Sequence, residues 1–92
     1  MITIETLRFF RSLDTDTGNW IYYAVLSRQL GADWYECLRL NADGTTELEH
    51  QNILWLKNMT DLTREQMTRI DENFVIEATR LHQAALSERL RA

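Results

Sequence analysis

Cysteine and histidine are the side chains that most often supply nucleophiles and metal ligands, and this chain has one cysteine, Cys37, and two histidines, His50 and His82. A Cys–His dyad requires both side chains on one face and within hydrogen-bonding reach. In the strand register favoured by the turn at residues 41–44, Cys37 faces Glu49, and His50 points to the opposite side of the sheet. The chain has no Cys-x-x-Cys or His-x-x-x-His spacing typical of a metal site. We therefore expect a half-buried thiol, two surface histidines, no catalytic residue, no metal and no cofactor.

An acidic run at residues 14–18 (DTDTG) begins like a calcium-binding loop. An EF-hand needs glycine at its sixth position and glutamate at its twelfth, whereas here glycine is fifth and Val25 is twelfth. No glycine-rich phosphate loop is present either, because neighbouring glycines lie thirteen residues apart. We therefore interpret the run as a solvated hairpin loop. Glu47 and Glu49, two carboxylates on one strand face, are explained more simply as protection of an edge strand than as a glycosidase pair.

Arginines and aromatic rings alternate near the start of the chain, where Arg8 and Arg11 flank two phenylalanines and Tyr22 and Tyr23 lie on the next segment. On an exposed sheet face, such rings stack on nucleobases and arginines bind phosphates. The same rings are also ordinary core residues of a small domain. A net charge of -4 lacks the basic surplus typical of non-specific nucleic-acid binding. A nucleic-acid-binding domain that uses these four residues is therefore the alternative function.

Acidic residues are concentrated between residues 31 and 56, where five carboxylates are accompanied by a single arginine, Arg39. These five are Asp33, Glu36, Asp43, Glu47 and Glu49. From residue 80 onward the sign reverses, since three arginines outnumber Glu88. Charge complementarity speeds association and selects partners. The acidic segment therefore predicts a protein partner with a basic surface.

Turn signals at the glycines divide the first half of the chain into strand-length segments rich in β-branched and aromatic residues. Residues 41–44 (NADG) fit a type I turn with the glycine at positive φ. A three-residue loop at residues 42–44 pairs Leu38 with Leu48, and it sets Arg39 directly opposite Glu47. A two-residue loop would instead set Leu38 opposite Glu49, so we favour the first register.

Residues 20–29 have the composition of a strand that is apolar on both faces, which is typical of a central strand. Residues 3–13 fit either a strand or a helix, and the six-residue link to Trp20 favours the strand. In the C-terminal third, Thr63 and Gln66 predict a capping box at the start of an amphipathic helix that runs without interruption to Arg91. Before it, residues 52–59 predict a short helix capped by their first residue, or else a fourth strand.

The long helix carries a second apolar sector beside its main stripe, formed by Val75, Leu86 and Leu90. One stripe is enough to cover a sheet, so the second sector needs another neighbour. That neighbour is either the short helix at residues 52–59 or another chain, such as a second copy in a homodimer, because exposed apolar patches often mark interfaces. These three residues are therefore predicted to bind protein together with the five acids.

With 92 residues the chain has room for one domain, in which residues 1–50 are mainly a β meander and residues 52–92 are mainly helical. The predicted fold is α+β: an antiparallel meander of three to four strands, followed by a short helix and a long C-terminal amphipathic helix packed on the sheet. No apolar run is long enough to cross a membrane. The chain start lacks the apolar core of a signal peptide, and the single cysteine forms no internal disulfide. We therefore expect a cytoplasmic protein without membrane contact.

The predicted function is a small acidic protein-binding module that is not an enzyme. It would act as an adaptor or as an inhibitor of a larger complex, for example one that handles nucleic acid, a kind of protein common in phages and mobile elements. Besides the nucleic-acid-binding domain, a third hypothesis is a small enzyme or ligand-binding subunit whose site forms only in an oligomer.

Overall fold

The computed structural model describes the backbone of residues 6–29 and 34–91, and their side chains except those of residues 27–29, 53 and 89–91. Strands fill most of the first half of the chain and helices most of the second, and the predicted α+β class is confirmed. In chain order the elements are β1 Arg8–Leu13, β2 Trp20–Gln29, β3 Trp34–Leu40, β4 Thr46–Asn52, α1 Ile53–Lys57, β5 Thr60–Leu62, α2 Arg64–Ile70 and α3 Glu72–Arg91.

The strands form one antiparallel sheet in the order β4-β3-β2-β1-β5. The first four are the predicted meander. The chain then leaves β4 at one edge, passes through α1 and returns as β5 at the other edge, where Phe9 pairs with Leu62. The sheet therefore has one strand more than the three to four expected. Three residues are too few for β5 to show a strand periodicity in the sequence.

The β3–β4 hairpin has the predicted turn and register. The Gly44 N–H donates to the Asn41 carbonyl at 3.0 Å, and Gly44 has a φ of 88°, a conformation that favours glycine. Across the strands Leu38 pairs with Leu48 and Arg39 with Glu47. The local turn signal was therefore sufficient to predict which side chains share a face.

The β1–β2 hairpin confirms a strand at the end of the 3–13 segment, of which residues 3–5 lie outside the described part. Its loop is the acidic run at residues 14–18, closed by a 2.7 Å hydrogen bond from the Gly18 N–H to the Asp14 carbonyl. Asp14 Oδ1 also accepts from the Asp16 N–H at 3.0 Å. Because this carboxylate stabilises the loop backbone, the interpretation as a hairpin loop is confirmed.

The sheet has a core on each side. On one side, here called the helix face, α3 packs on β2 and α2 on β1. The other side, here called the α1 face, is covered by α1 through Leu56. The helix-face core contains Phe9, Ala24, Leu26, Leu38, Leu40, Met67, Phe74, Val75 and Ala78. The α1-face core contains Phe10, Tyr23, Val25, Tyr35, Cys37 and Leu56. The prediction that β2 is a central strand with two apolar faces is confirmed.

The C-terminal helical region begins with the predicted capping box: the Thr63 hydroxyl accepts from the Gln66 N–H at 3.0 Å, and the Gln66 side chain accepts from the Thr63 N–H at 2.9 Å. The prediction of one uninterrupted helix is wrong, because the chain breaks at Asp71, which is extended (φ -157°, ψ 99°). Asp71 Oδ1 accepts from the Phe74 N–H at 3.0 Å. The carboxylate thus caps α3 and stabilises a non-helical backbone at its own position.

This break changes which residues face the core. Val75 is 4% exposed and belongs to the helix-face core that also contains Met67 of α2, whereas Ile70, which helical spacing from Met67 would place on the core side, is exposed. Val75 therefore needs neither the short helix nor a second chain as its neighbour, and α1 lies on the opposite face of the sheet. Leu86 is half-buried, and the side chain of Leu90 lies outside the described part. Among the described residues, no helix is long and apolar enough to cross a membrane.

Candidate functional site

The acidic residues of the β3–β4 hairpin have separate environments, and Asp43 belongs to the turn. Its Oδ1 accepts from the Thr45 N–H at 3.0 Å and from the Thr45 hydroxyl at 2.6 Å. These hydrogen bonds favour the ionised form and lower the pKa of the fully exposed Asp43 carboxyl. Asp43 therefore already has a structural role in closing the hairpin.

Glu49 lies on the α1 face inside a hydrogen-bonded network, and its side chain is only 24% exposed. It accepts from the Gln51 amide at 2.5 Å, and the Arg39 guanidinium lies 3.5 Å away. The Tyr23 hydroxyl also interacts electrostatically with Glu49. Burial, followed by the charge of Glu49, raises the pKa of Tyr23 to about 12. Glu49 is therefore largely occupied by neighbours within the chain.

Glu47 is the most available carboxylate of the hairpin. Its side chain is 56% exposed, and its nearest cation is Arg39, whose Nε lies 3.7 Å from Glu47 Oε1. Arg39 also donates from Nε to Asn41 Oδ1 at 2.8 Å and contacts Glu49. One guanidinium therefore serves two carboxylates, and this part of the α1 face keeps a net negative charge.

The remaining acids of the predicted set do not join this cluster. Glu36 pairs with His50 and therefore lies on the helix face, where it is half-buried and makes an interaction within the chain. Asp33 lies outside the described residues. The structure therefore distributes the acids over both faces of the hairpin instead of forming one acidic surface.

β4 is an edge strand whose outer side pairs with no described residue. Asn41 donates from its N–H to the Thr45 carbonyl at 2.9 Å, so residues 41 and 45 are a hydrogen-bonded pair. In an antiparallel ladder, hydrogen-bonded residue pairs alternate with pairs that are not hydrogen-bonded to each other. The register of β3 and β4 therefore shows, for each β4 residue, whether its N–H and C=O groups point toward β3 or away from it. Those directed at β3 belong to Glu47, Glu49 and Gln51. Those directed away from the sheet belong to Thr46, Leu48, His50 and Asn52.

Large apolar side chains are exposed next to this edge. Leu48 is 56% exposed on the helix face of β4, and Trp34 of β3 is exposed on the same face. Directly after β4, Leu54 and Trp55 of α1 are 63% and 68% exposed. We call the outward side of Thr46–Asn52 the β4 edge, and Leu54 with Trp55 the α1 ridge. Together they form the candidate docking surface.

Cys37 is fully buried rather than half-buried, because β2 and α1 contribute side chains to the same core. Burial, followed by the charge of Glu49, raises the pKa of its thiol to about 12, which disfavours the nucleophilic thiolate. The expected separation of Cys37 from His50 on opposite faces is confirmed. His82 is part-buried, with Nδ1 3.3 Å from the Leu26 carbonyl, and is therefore not the surface histidine expected. Within the described residues, no group of three or more potential ligands could hold a metal ion.

The structure does not bring Arg8, Arg11, Tyr22 and Tyr23 to one face. Arg8 lies on the α1 face, where it forms a 2.6 Å ion pair with Asp61, and Tyr23 is buried on that face. Arg11 and Tyr22 form a cross-strand pair and share the helix face. The predicted Arg/aromatic surface is therefore split between two sides of the sheet, and nucleic-acid binding stays a prediction.

An open groove of about 300 Å³ lies at the hairpin-loop end of the helix face, between Trp20, Tyr22, Leu40 and Ile70. Its one carboxylate, Asp71, is already used as the cap of α3. The groove therefore contains no free acid or base that could support a catalytic proposal.

No family model, curated protein or solved structure matches the chain. The candidate docking surface was missed at the sequence level, although a signal was present in the run ILWL. A five-residue helix can direct only part of such a run inward, so some of these large side chains must remain exposed.

Proposed function

We propose that this chain is a small protein-binding module without catalytic activity, an adaptor or an inhibitor of a larger complex, and that its partner docks on the β4 edge and the α1 ridge. The observation that supports the proposal is the exposure of Trp55 and Leu54 beside a strand edge that pairs with no described residue. Tryptophan is enriched among the residues that dominate binding energies, and large apolar side chains exposed together often mark interfaces.

The proposed partner is a different protein rather than a second copy of this chain. An antiparallel β4–β4 pair between two copies aligns all seven residues of the strand when it is centred on Glu49, and five when it is centred on Leu48 or His50. The Glu49-centred and Leu48-centred registers place a glutamate opposite a glutamate, because Glu47 and Glu49 share one face. Like charges directly opposite each other destabilise a strand pair, so the edge disfavours self-pairing in these two registers, one of which is the longest.

A basic partner surface is supported by Glu47, which is exposed and only distantly paired with Arg39. Electrostatic complementarity of this kind increases the association rate and selects among partners more than it adds affinity. We place the module in the cytoplasm, where a lone buried thiol such as Cys37 stays reduced. A homodimer, the alternative partner, is one outcome of the test that follows.

The test removes the α1 ridge with the double substitution Leu54→Ser and Trp55→Ser. The matched control is Ile76→Ser, because Ile76 is 59% exposed on α3, on the other side of the sheet. Proteins captured from source-cell lysate are identified by mass spectrometry, and the best candidate is purified and titrated by calorimetry. Loss of a tryptophan hot spot costs about 2 kcal/mol or more, so we expect roughly 30-fold weaker binding by the ridge variant. The control should bind like the unmodified chain.

Circular dichroism verifies that both variants are folded before binding is compared. If the ridge variant binds the purified partner as tightly as the control does, the proposed docking surface is wrong. Light scattering of the free chain is measured in parallel. A stable dimer that the ridge substitutions dissociate would contradict the assignment of a different protein as the occupant.

A further inference from the structure

We propose that the partner supplies an extended segment that adds to the sheet as a sixth strand on the β4 edge, antiparallel to β4. In this segment lysine or arginine would lie opposite Glu47 and Glu49, with an apolar residue between them opposite Leu48. The inference rests on the proposed function and specifies how the partner would bind.

The backbone of β4 is suitable for strand addition. The N–H and C=O groups of Thr46, Leu48 and His50 point away from β3, and no described residue pairs with this side of the strand. In an antiparallel pair, each of these residues could exchange two hydrogen bonds with an added strand, about six in total. Binding by strand addition obtains its affinity from these main-chain bonds and its specificity from alternate side chains.

The side chains of β4 define what the added strand must carry. On the α1 face, Glu47 and Glu49 share the single guanidinium of Arg39, so a basic residue opposite Glu47 would neutralise the charge that this cluster leaves unbalanced, and a second would lie opposite the less exposed Glu49. On the helix face, Leu48 is 56% exposed and offers apolar contact. Since successive residues of a strand point to opposite faces, one segment with the pattern basic–apolar–basic satisfies both requirements.

Edge strands are usually protected against pairing by proline, bulges or charge. β4 contains no proline, and its register with β3 is regular from Trp34 to Leu40. Charge is therefore its protection, and two glutamates repel acidic strands while attracting basic ones. The same residues that disfavour self-pairing would in this way select the partner.

The experiment uses the full chain and two synthetic peptides, Ser-Thr-Arg-Val-Arg-Thr-Ser and the same peptide with glutamate in place of both arginines. Amide exchange is followed by NMR. In the free protein the amides of Thr46, Leu48 and His50 should exchange fast, and those of Glu47 and Glu49 slowly. The arginine peptide at millimolar concentration should slow exchange at the three outward amides, and the glutamate peptide should not.

Leu48→Pro removes an outward N–H without removing a β3–β4 hydrogen bond, and Leu48→Thr is the matched control that keeps the N–H. We expect the proline variant to bind the arginine peptide about tenfold more weakly than the control. Equal binding by the two variants, or equal protection by the two peptides, overturns strand addition. The peptide comparison uses the unmodified chain, so it decides the question even if the proline variant fails to fold.

The outcome is separable from that of the proposed function. If removal of Leu54 and Trp55 abolishes partner binding while the arginine peptide gives no protection, the docking surface is retained and strand addition is wrong. If the arginine peptide protects the outward amides while the ridge substitutions leave partner binding unchanged, the edge accepts strands but the proposed docking surface is wrong.

Discussion

Leu56→Ala is the substitution that best tests how α1 is attached to the sheet. Leu56 is 1% exposed in the α1-face core, where it is the α1 residue that packs with Phe10, Tyr23 and Tyr35. Leu54, two residues earlier in the same five-residue helix, is 63% exposed. The pair therefore compares an inward and an outward leucine with the same chemistry and nearly the same position in the chain.

The expected magnitude follows from burial. Truncation of a buried leucine to alanine costs about 2–5 kcal/mol, and the cost is lower where neighbouring atoms can relax into the space. α1 is a short helix, so partial collapse into the space is expected, and we estimate a loss of about 3 kcal/mol. For a domain of this size, whose total stability is about 5–14 kcal/mol, that loss lowers the melting temperature by about 15 °C.

The assay is urea unfolding monitored by far-ultraviolet circular dichroism. The free energy of unfolding is extrapolated to water, and its dependence on urea concentration is compared between the variants and the unmodified chain. Leu54→Ala should change that free energy by less than about 0.5 kcal/mol, as is usual for an exposed position. If the two variants lose equal stability, Leu56 does not anchor α1 and the described path of the chain across the α1 face is wrong.

Two further predictions concern the cap of α3 and the buried thiol. Asp71→Ala should cost about 1 kcal/mol in urea unfolding because the Phe74 N–H loses its acceptor, whereas Asp71→Asn, which can still cap, should cost less; equal losses would contradict the capping role. Cys37 and Tyr23 both have a pKa raised to about 12, from 9.0 and 10.0, so the folded state favours their neutral forms. Their contribution is complete below pH 9 and is lost as the pH rises to about 12. Cys37→Ala should therefore reduce the slope of stability against pH in that window by about 1.4 kcal/mol per pH unit, and an unchanged slope would refute the assignment.

The parts of the fold that the sequence predicted correctly are those governed by neighbouring residues. Asn41 and Gly44 determine the turn, and the turn determines the register of β3 against β4. Thr63 and Gln66 determine the start of α2 by reciprocal hydrogen bonds. In each case the groups that interact lie within a few residues of one another, so local rules were sufficient.

The parts of the fold that the sequence did not predict depend on residues far apart in the chain, or on two local signals that favour different structures. β5 exists because Leu62 reaches Phe9, which is more than fifty residues earlier in the chain. The break at Asp71 was missed because the spacing from Met67 through Ile70 to Phe74 looks helical across it. The Asp71 cap interrupts the helix despite that spacing. As a result Val75 is buried in the core and Ile70 is exposed, which only the structure shows.

The candidate site was the least predictable part, because charge along a sequence does not reveal which charges are already paired. Register alone placed Arg39 opposite Glu47, but the burial of Glu49 beside Tyr23 and Gln51 requires the neighbouring strands. Among the acids described in this segment, Asp43 is exposed but closes the turn, Glu36 and Glu49 are partly buried, and Glu47 is the exposed carboxylate left for a partner. Counting residues overestimated the acidic surface because it treated every carboxylate as solvent-facing.

The path of the chain explains why no described strand pairs with the β4 edge. After β4 the chain crosses the α1 face of the sheet as α1. It then forms β5, which pairs with β1 at the edge opposite β4. The helices that follow pack on β2 and β1. Stability and docking then depend on the same five residues, because Leu56 anchors α1 while Leu54 and Trp55 project from it. It follows that Leu56→Ala should weaken partner binding without removing any exposed contact, whereas Ile76→Ser should change neither stability nor binding.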